Sequence, residues 1–154
     1  MLTRRKGRII AFQAIYGWEF TRAPLHDVLH LTWLEANSPA EDSEPDSDSG
    51  ESVELTFPRL LVAGTIENIE SIDRTIKAQL KHWDFDRVVR ADLAILRMSV
   101  YSLLYQPEIP ASVTIDEAID IAKEFGTDDS YKFINGVLDG IRKGLKENQT
   151  GTSE

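Results

Sequence analysis

The sequence predicts an all-α protein. Apolar residues recur at spacings of three and four along most of the chain, and no stretch sustains a period-2 alternation. The two hairpin-like pairs, Asn135-Gly136 and Asp139-Gly140, lie inside a pattern of helical period (Phe133, Ile134, Val137, Leu138, Ile141, Leu145) rather than between strand-like runs.

A first helix is predicted from about Thr3 to Phe20, burying Ile9, Phe12, Tyr16 and Phe20. Pro24 opens a shorter one to about Glu35 on Leu25, Val28, Leu29 and Trp33. A long helix from about Leu55 to His82 buries Leu60, Leu61, Ile69, Ile72, Ile76 and Leu80, with Gly64 permitting a close helix contact, and Trp83-Asp84-Phe85 break it. The next runs from about Arg90 to Tyr105 on Leu93, Leu96, Val100, Leu103 and Leu104, and stops before Pro107. Thr114-Ile115-Asp116-Glu117 has the form of a capping box opening a helix on Ala118, Ile119, Ala122 and Phe125, which Gly126 ends in the left-handed conformation. Thr127 or Asp128 caps a last helix from about Asp129 to Lys146, where Gly136, Gly140 and Gly144 allow close packing.

Charge divides the chain unevenly. Its 26 acids and 17 bases give a net charge of −9, which argues against a uniformly basic nucleic-acid binder. Seven of the acids fall between residues 37 and 54 in a segment with no base and only Ala40 and Val53 apolar, too little apolar surface to offset ordering entropy. The remaining 19 acids nearly balance the bases, and Arg4, Arg5, Lys6 and Arg8 form a basic head free of acids. Residues 1–154 therefore read as one domain with a disordered acidic insertion at 37–54 and a frayed tail at 148–154.

Several chemistries lack their residues. The absence of cysteine excludes disulfides, thiolate metal sites and a cysteine nucleophile. His26 and His30 have a ligand-like spacing of four without the further donors of a metal site, and Asp128-Asp129-Ser130 reads as a helix cap rather than a catalytic group. No phosphate-binding glycine loop is present, so neither an enzyme nor a cofactor is expected. No stretch approaches the roughly 20 apolar residues of a membrane span, and the expected location is the cytoplasm. The basic head is the positive signal: Arg4, Arg5 and Arg8 on one helical turn can neutralise phosphates, while Gln13 and Tyr16 further along can read a base edge and stack on an unpaired base.

These segments resemble those of the NusB family of transcription antitermination factors. RRKGRIIAFQAIYGWEF (4–20) is similar to the family's opening helix, RADLAILRMSVYSLL (90–104) to an intervening one, and VTIDEAIDIAKEFGTDDSYKFINGVLDGI (113–141) to its closing signature. The resemblance implies two small three-helix bundles packed across one another. It also implies a non-enzymatic role, binding boxA-type single-stranded RNA of ribosomal RNA leader transcripts together with NusE, a ribosomal protein of the small subunit, within an RNA polymerase elongation complex. Carried over, the RNA face comprises Arg4, Arg5, Lys6, Arg8, Gln13, Tyr16, Lys132 and Phe133, with Asp129 restraining affinity and Asp92 facing NusE. Phe133 and Tyr16 also fit a core role. Two features depart from the family: the acidic insertion, and Tyr131 where a histidine is common. The alternative reading is a protein-interaction scaffold whose RNA binding the acidic loop suppresses. A third, a detached RNA-binding domain of an RNA methyltransferase, lacks the residues for a cofactor domain.

Overall fold

The hydroxyl of Thr3 accepts from the Lys6 amide at 3.1 Å, satisfying one of the open N–H groups that begin helix α1 (Arg4–Thr21). The helix ends at Arg22, whose φ of 50° is the one positive non-glycine φ among the described residues. Its amide donates to the Trp18 carbonyl at 2.7 Å, while its guanidinium lies 4.1 Å from the Trp18 ring and pairs with Glu19 at 2.9 Å. Local contacts thus hold a backbone conformation that a side chain disfavours.

The computed structural model describes residues 3–30, 55–81 and 84–151. The expected acidic insertion, Trp33, His82 and Trp83 lie outside the described residues. After α1 come α2 (Leu25–Leu29), α3 (Thr56–Glu67), α4 (Ile69–Gln79), a 3-10 turn (Phe85–Arg87), α5 (Arg90–Tyr105), α6 (Ala111–Phe125) and α7 (Ser130–Gly151). No strand occurs among the described residues. Helices α1, α2 and α3 pack together, as do α6 and α7, and α5 lies between these groups against α1, α3, α4, α6 and α7. Every residue of α5 from Asp92 to Ser102 is buried, as expected of a helix enclosed on all sides. One apolar cluster runs through both groups, joining Ile15 of α1, Leu61 of α3, Leu96 of α5 and Leu138 of α7.

Four expectations are corrected. The long helix over 55–82 is two helices, because Asn68 (φ −110°, ψ 21°) leaves the helical region and donates to the Gly64 carbonyl from both its amide (3.2 Å) and its side chain (2.8 Å). Helix α6 opens four residues early, with Pro110 rather than Thr114 at its N-cap position; the buried Thr114 hydroxyl has no partner among the described residues. Gly126 is extended at φ −98° rather than left-handed, and glycine is needed there because a Cβ would sit 2.6 Å from the Ser130 side chain and 2.7 Å from the Ala122 carbonyl. The last helix continues to Gly151, past the expected start of the frayed tail.

Side-chain burial follows the expected pattern with exceptions where a helix outruns its neighbours. Phe12, Leu61, Ile72, Ile76, Leu80, Leu93, Leu96 and Val100 are core, whereas Phe20 (62% exposed) and Leu60 (50%) are not. Gly64 does permit a close contact: a Cβ there would collide with the ring of Tyr101, which stacks on Tyr105 at 5.6 Å. Gly140 similarly faces the Gln79 side chain, while Gly136 and Gly144 have no such neighbour.

Charge is also buried. Arg97, 2% exposed, donates to Asp73 from Nε (2.8 Å) and Nη2 (2.9 Å) and to Glu19 from Nη1 (2.5 Å), and Glu19 accepts further from Arg22 and Arg90. Burial alone would push the Glu19 carboxyl up, but the Arg97 hydrogen bond and the three guanidinium charges hold it below the usual carboxylate range.

Two outcomes are expected. Gly64→Ala should destabilise the protein by about 1–3 kcal/mol in urea unfolding, and Tyr101→Leu in the same chain should recover part of that loss. Because the folded form of Glu19 holds its proton less tightly than the unfolded one, its stabilisation is full above pH about 4.3 and is lost as pH falls further. Glu19→Gln should therefore cost about 3 kcal/mol at pH 7 and flatten the acid limb of the stability curve, the two proteins converging as pH falls through the folded value.

Candidate nucleic-acid interface

The first turn of α1 carries Arg4, Arg5, Lys6 and Arg8 with no acid among them, at the end of a helix where backbone N–H groups already favour anions. The structure gives the four cations different environments. Arg4 is exposed, its guanidinium 4.3 Å from the Phe57 ring of α3, and Lys6 is exposed with no ion pair among the described residues. Arg8 is buried, 5.4 Å from the same ring, and burial pushes its guanidinium below the usual value while Glu117 partly restores it. Arg5 points the other way, across to Glu117 and Asp120 of α6. Gly7 allows this arrangement, since a Cβ would lie 2.8 Å from the Phe57 ring on which Arg4 and Arg8 rest. The head is thus part surface charge and part helix packing.

Beyond the head, Gln13 is exposed and lines a recess with Gly17, Thr21 and Val28. Tyr16 is 38% exposed, which corrects its expected place in the core. It belongs to a row of rings: Phe12 touches Phe125 of α6 (5.4 Å between centroids) and Tyr16 (6.3 Å), and Tyr16 meets Phe20 edge to face (5.1 Å). Phe20 and Phe125 are candidate contact residues that the sequence reading assigned to the core. Phe20 continues the spacing of Phe12 and Tyr16, and Phe125 that of Ala118 and Ala122, which is the spacing of a buried stripe, yet both rings are exposed.

Lys132 and Phe133 lie elsewhere. They line a groove of about 610 Å³ with Asp129, Thr127, Ser130 and Val137 of the α6–α7 turn and α7, Leu80 after α4, and Val88, Val89 and Asp92 at the start of α5. The groove therefore holds two residues expected on the RNA face, the expected modulator Asp129 and the expected partner residue Asp92. Asp92 is 5% exposed and its Oδ1 has no hydrogen-bond partner among the described residues. Burial pushes its carboxyl above the usual range, and a hydrogen bond with the Ser130 side chain only partly reverses this. Ser130 is itself fixed, its hydroxyl accepting from the Thr127 amide at 2.9 Å. Tyr131 is flanked by the ammonium groups of Lys123 (5.1 Å) and Lys132 (5.8 Å), which link the α6 face to the groove mouth.

Metal chemistry has no such assembly. His26 and His30 approach at 3.1 Å between Nε2 atoms, but no group of three or more metal-binding side chains occurs among the described residues. No helix among them is long and apolar enough to cross a membrane.

Comparison with known proteins agrees with this architecture. Residues 5–143 match the model of the NusB family. The chain is 50% identical to the transcription antitermination protein NusB of Treponema denticola over 90% of this chain and 95% of that one. A crystal form of T. maritima NusB superposes with a TM-score of 0.73 at 36% identity, covering 93% of each chain. A chain in a crystal structure of the antitermination factors NusB and NusE with double-stranded RNA shares the fold at a TM-score of 0.74 and 23% identity, over 92% of this chain and 96% of that one.

The state of Asp92 gives a measurable outcome. A carboxyl with a raised folded pKa contributes stability that is present below its unfolded value, about 3.9, and is lost as pH rises through the folded value. Asp92→Asn should therefore stabilise the protein by about 1 kcal/mol at pH 7, and the gain should vanish below pH about 4 in the same denaturation series.

Proposed function

Because the chain belongs to the NusB family, we infer that it is a transcription antitermination factor that binds boxA-type single-stranded RNA with a NusE-type ribosomal protein and joins an elongating RNA polymerase. The observation that carries the RNA part is the first turn of α1, four cations and an open helix start, beside an exposed glutamine and exposed rings. Cations and amides supply affinity for any phosphate chain, while rings supply stacking platforms for bases that are unpaired. The solved assembly of NusB, NusE and RNA on the same fold supports pairing both kinds of partner with this scaffold.

In this reading Arg4 and Lys6 make the first phosphate contacts, with Arg5 and Arg8 behind them. Gln13 donates to or accepts from a base edge, and Tyr16 stacks. Lys132 and Phe133 form a second contact region at the groove, where the Asp129 carboxylate weakens RNA binding by repulsion. Asp92 contributes to the partner surface through the groove it walls, its buried carboxylate offering an unused acceptor to a donor from NusE. No catalytic group is required, and the work is done in the cytoplasm on the nascent transcript.

The test is binding of a boxA-type RNA and a scrambled control, with and without the NusE-type partner, at two salt concentrations. Four neutralised phosphates on a single strand predict a log–log salt slope of roughly −3. Replacing Arg4 and Lys6 by alanine should weaken both RNAs about tenfold and flatten the slope by roughly 1.4, with the melting temperature little changed. Equal binding of both RNAs under every condition would rule out sequence-specific recognition.

A further inference from the structure

We propose that Glu117 and Asp120 of α6 are built-in competitors for phosphate at Arg5, and that they set how tightly the head holds RNA. The inference rests on the RNA-binding reading above and adds to it two residues that act against the ligand.

The geometry is that of a substituted ligand. Arg5 donates from Nε to Glu117 Oε2 at 3.1 Å and from Nη2 to Glu117 Oε1 at 3.3 Å, and Nη2 also reaches Asp120 Oδ2 at 2.6 Å. A guanidinium fork on two carboxylate oxygens is the arrangement it would adopt on two phosphate oxygens. The same N–H groups cannot serve both, so a phosphate arriving at Arg5 must displace the carboxylates or meet their charge at contact distance.

Folding accounts for only part of the pair. The side chains of Arg5 and Asp120 are 54% and 43% exposed and that of Glu117 19%, so the Asp120 contact adds little stability and the Glu117 fork a modest amount. Glu117 is not occupied at its own helix end: α6 begins at Ala111, so the capping role its spacing suggests is not taken, and the carboxylate turns to α1 instead. Glu124, one turn further on, adds negative potential at Arg5. Arg4 and Lys6, the neighbours on the same turn, have no carboxylate partner among the described residues. Among the described residues the head is therefore graded, with two cations that no carboxylate pairs and one already countered.

Displacing Glu117 and Asp120 carries the same penalty for every RNA that puts a phosphate at Arg5, because phosphates carry no sequence information. The carboxylates therefore lower the affinity for matched and unmatched RNA by the same factor and leave the ratio between them to Gln13 and Tyr16.

The experiment compares the intact protein, Glu117→Gln with Asp120→Asn, Arg5→Ala, and all three substitutions together, on a boxA-type RNA and its scrambled control across a salt series. The isosteric amides should bind both RNAs roughly three- to tenfold more tightly. The scrambled RNA should gain as much as the matched one, because the penalty removed lies in a phosphate contact, which carries no sequence information. Both gains should disappear in the triple variant. Unchanged affinity overturns the proposal, as does weaker binding by the amides, which would make the carboxylates supports that orient Arg5. A gain that survives Arg5→Ala overturns it too, since the acids would then act through their field alone. Failure of the intact protein and the amide variant alike to bind any RNA at low salt overturns both this proposal and the RNA-binding reading beneath it.

Discussion

Arg97 is the charge around which α1, α4 and α5 are assembled. It sits in the middle of α5, almost wholly out of water, and three of its five N–H donors are taken by Asp73 of α4 and Glu19 of α1. A buried guanidinium is tolerable only with its counter-charges in place, so α1 and α4 cannot leave α5 separately. Glu19 extends the constraint outward by gathering Arg22 at the end of α1 and Arg90 at the start of α5. The end of α1 opposite the basic head is thereby pinned to the core.

The functional surfaces inherit this arrangement. With its last turn held at Arg97, α1 presents its first turn where Phe57 of α3 supports Arg4 and Arg8 and α6 supplies Glu117 for Arg5. The groove at the other side is walled by the first turn of the same α5 that carries Arg97. Among the described residues the buried carboxylate with an oxygen lacking a partner is Asp92, at the groove, whereas the carboxylates of the network are paired. Interior charge is matched where it holds helices together and left unmatched beside a recess.

The sequence carried the fold well where a pattern is local. Helical periodicity located α1, α5 and α7, and the acid-free run of Arg4, Arg5, Lys6 and Arg8 marked the head without any structure. What it could not carry were effects that depend on another element. Asn68 breaks a continuous apolar stripe because its side chain competes for a carbonyl, which apolar spacing does not register. Thr114 and Glu117 satisfy a capping pattern, yet Pro110 starts the helix earlier and frees the glutamate. Phe20 has core spacing but no helix over it, and Arg8 has the look of a surface cation until Phe57 covers it. The meeting of Asp92 with Lys132 and Phe133 in one groove joins residues some forty positions apart and has no signature in the chain.

The missing side chain at Gly64 has a mechanical consequence. The ring of Tyr101 fills the space a Cβ would occupy, so α3 and α5 meet with an aromatic wedge seated directly on backbone. Sliding either helix along the other would take that ring off the bare backbone at Gly64, and turning the ring aside would unstack it from Tyr105, its neighbour on the same helix. Helix α3 is also the support beneath Arg4 and Arg8, and α5 is the wall of the groove. The contact therefore acts as a fixed ruler between the two surfaces: a ligand that spans them must match a set spacing, and the adjustment falls on the ligand.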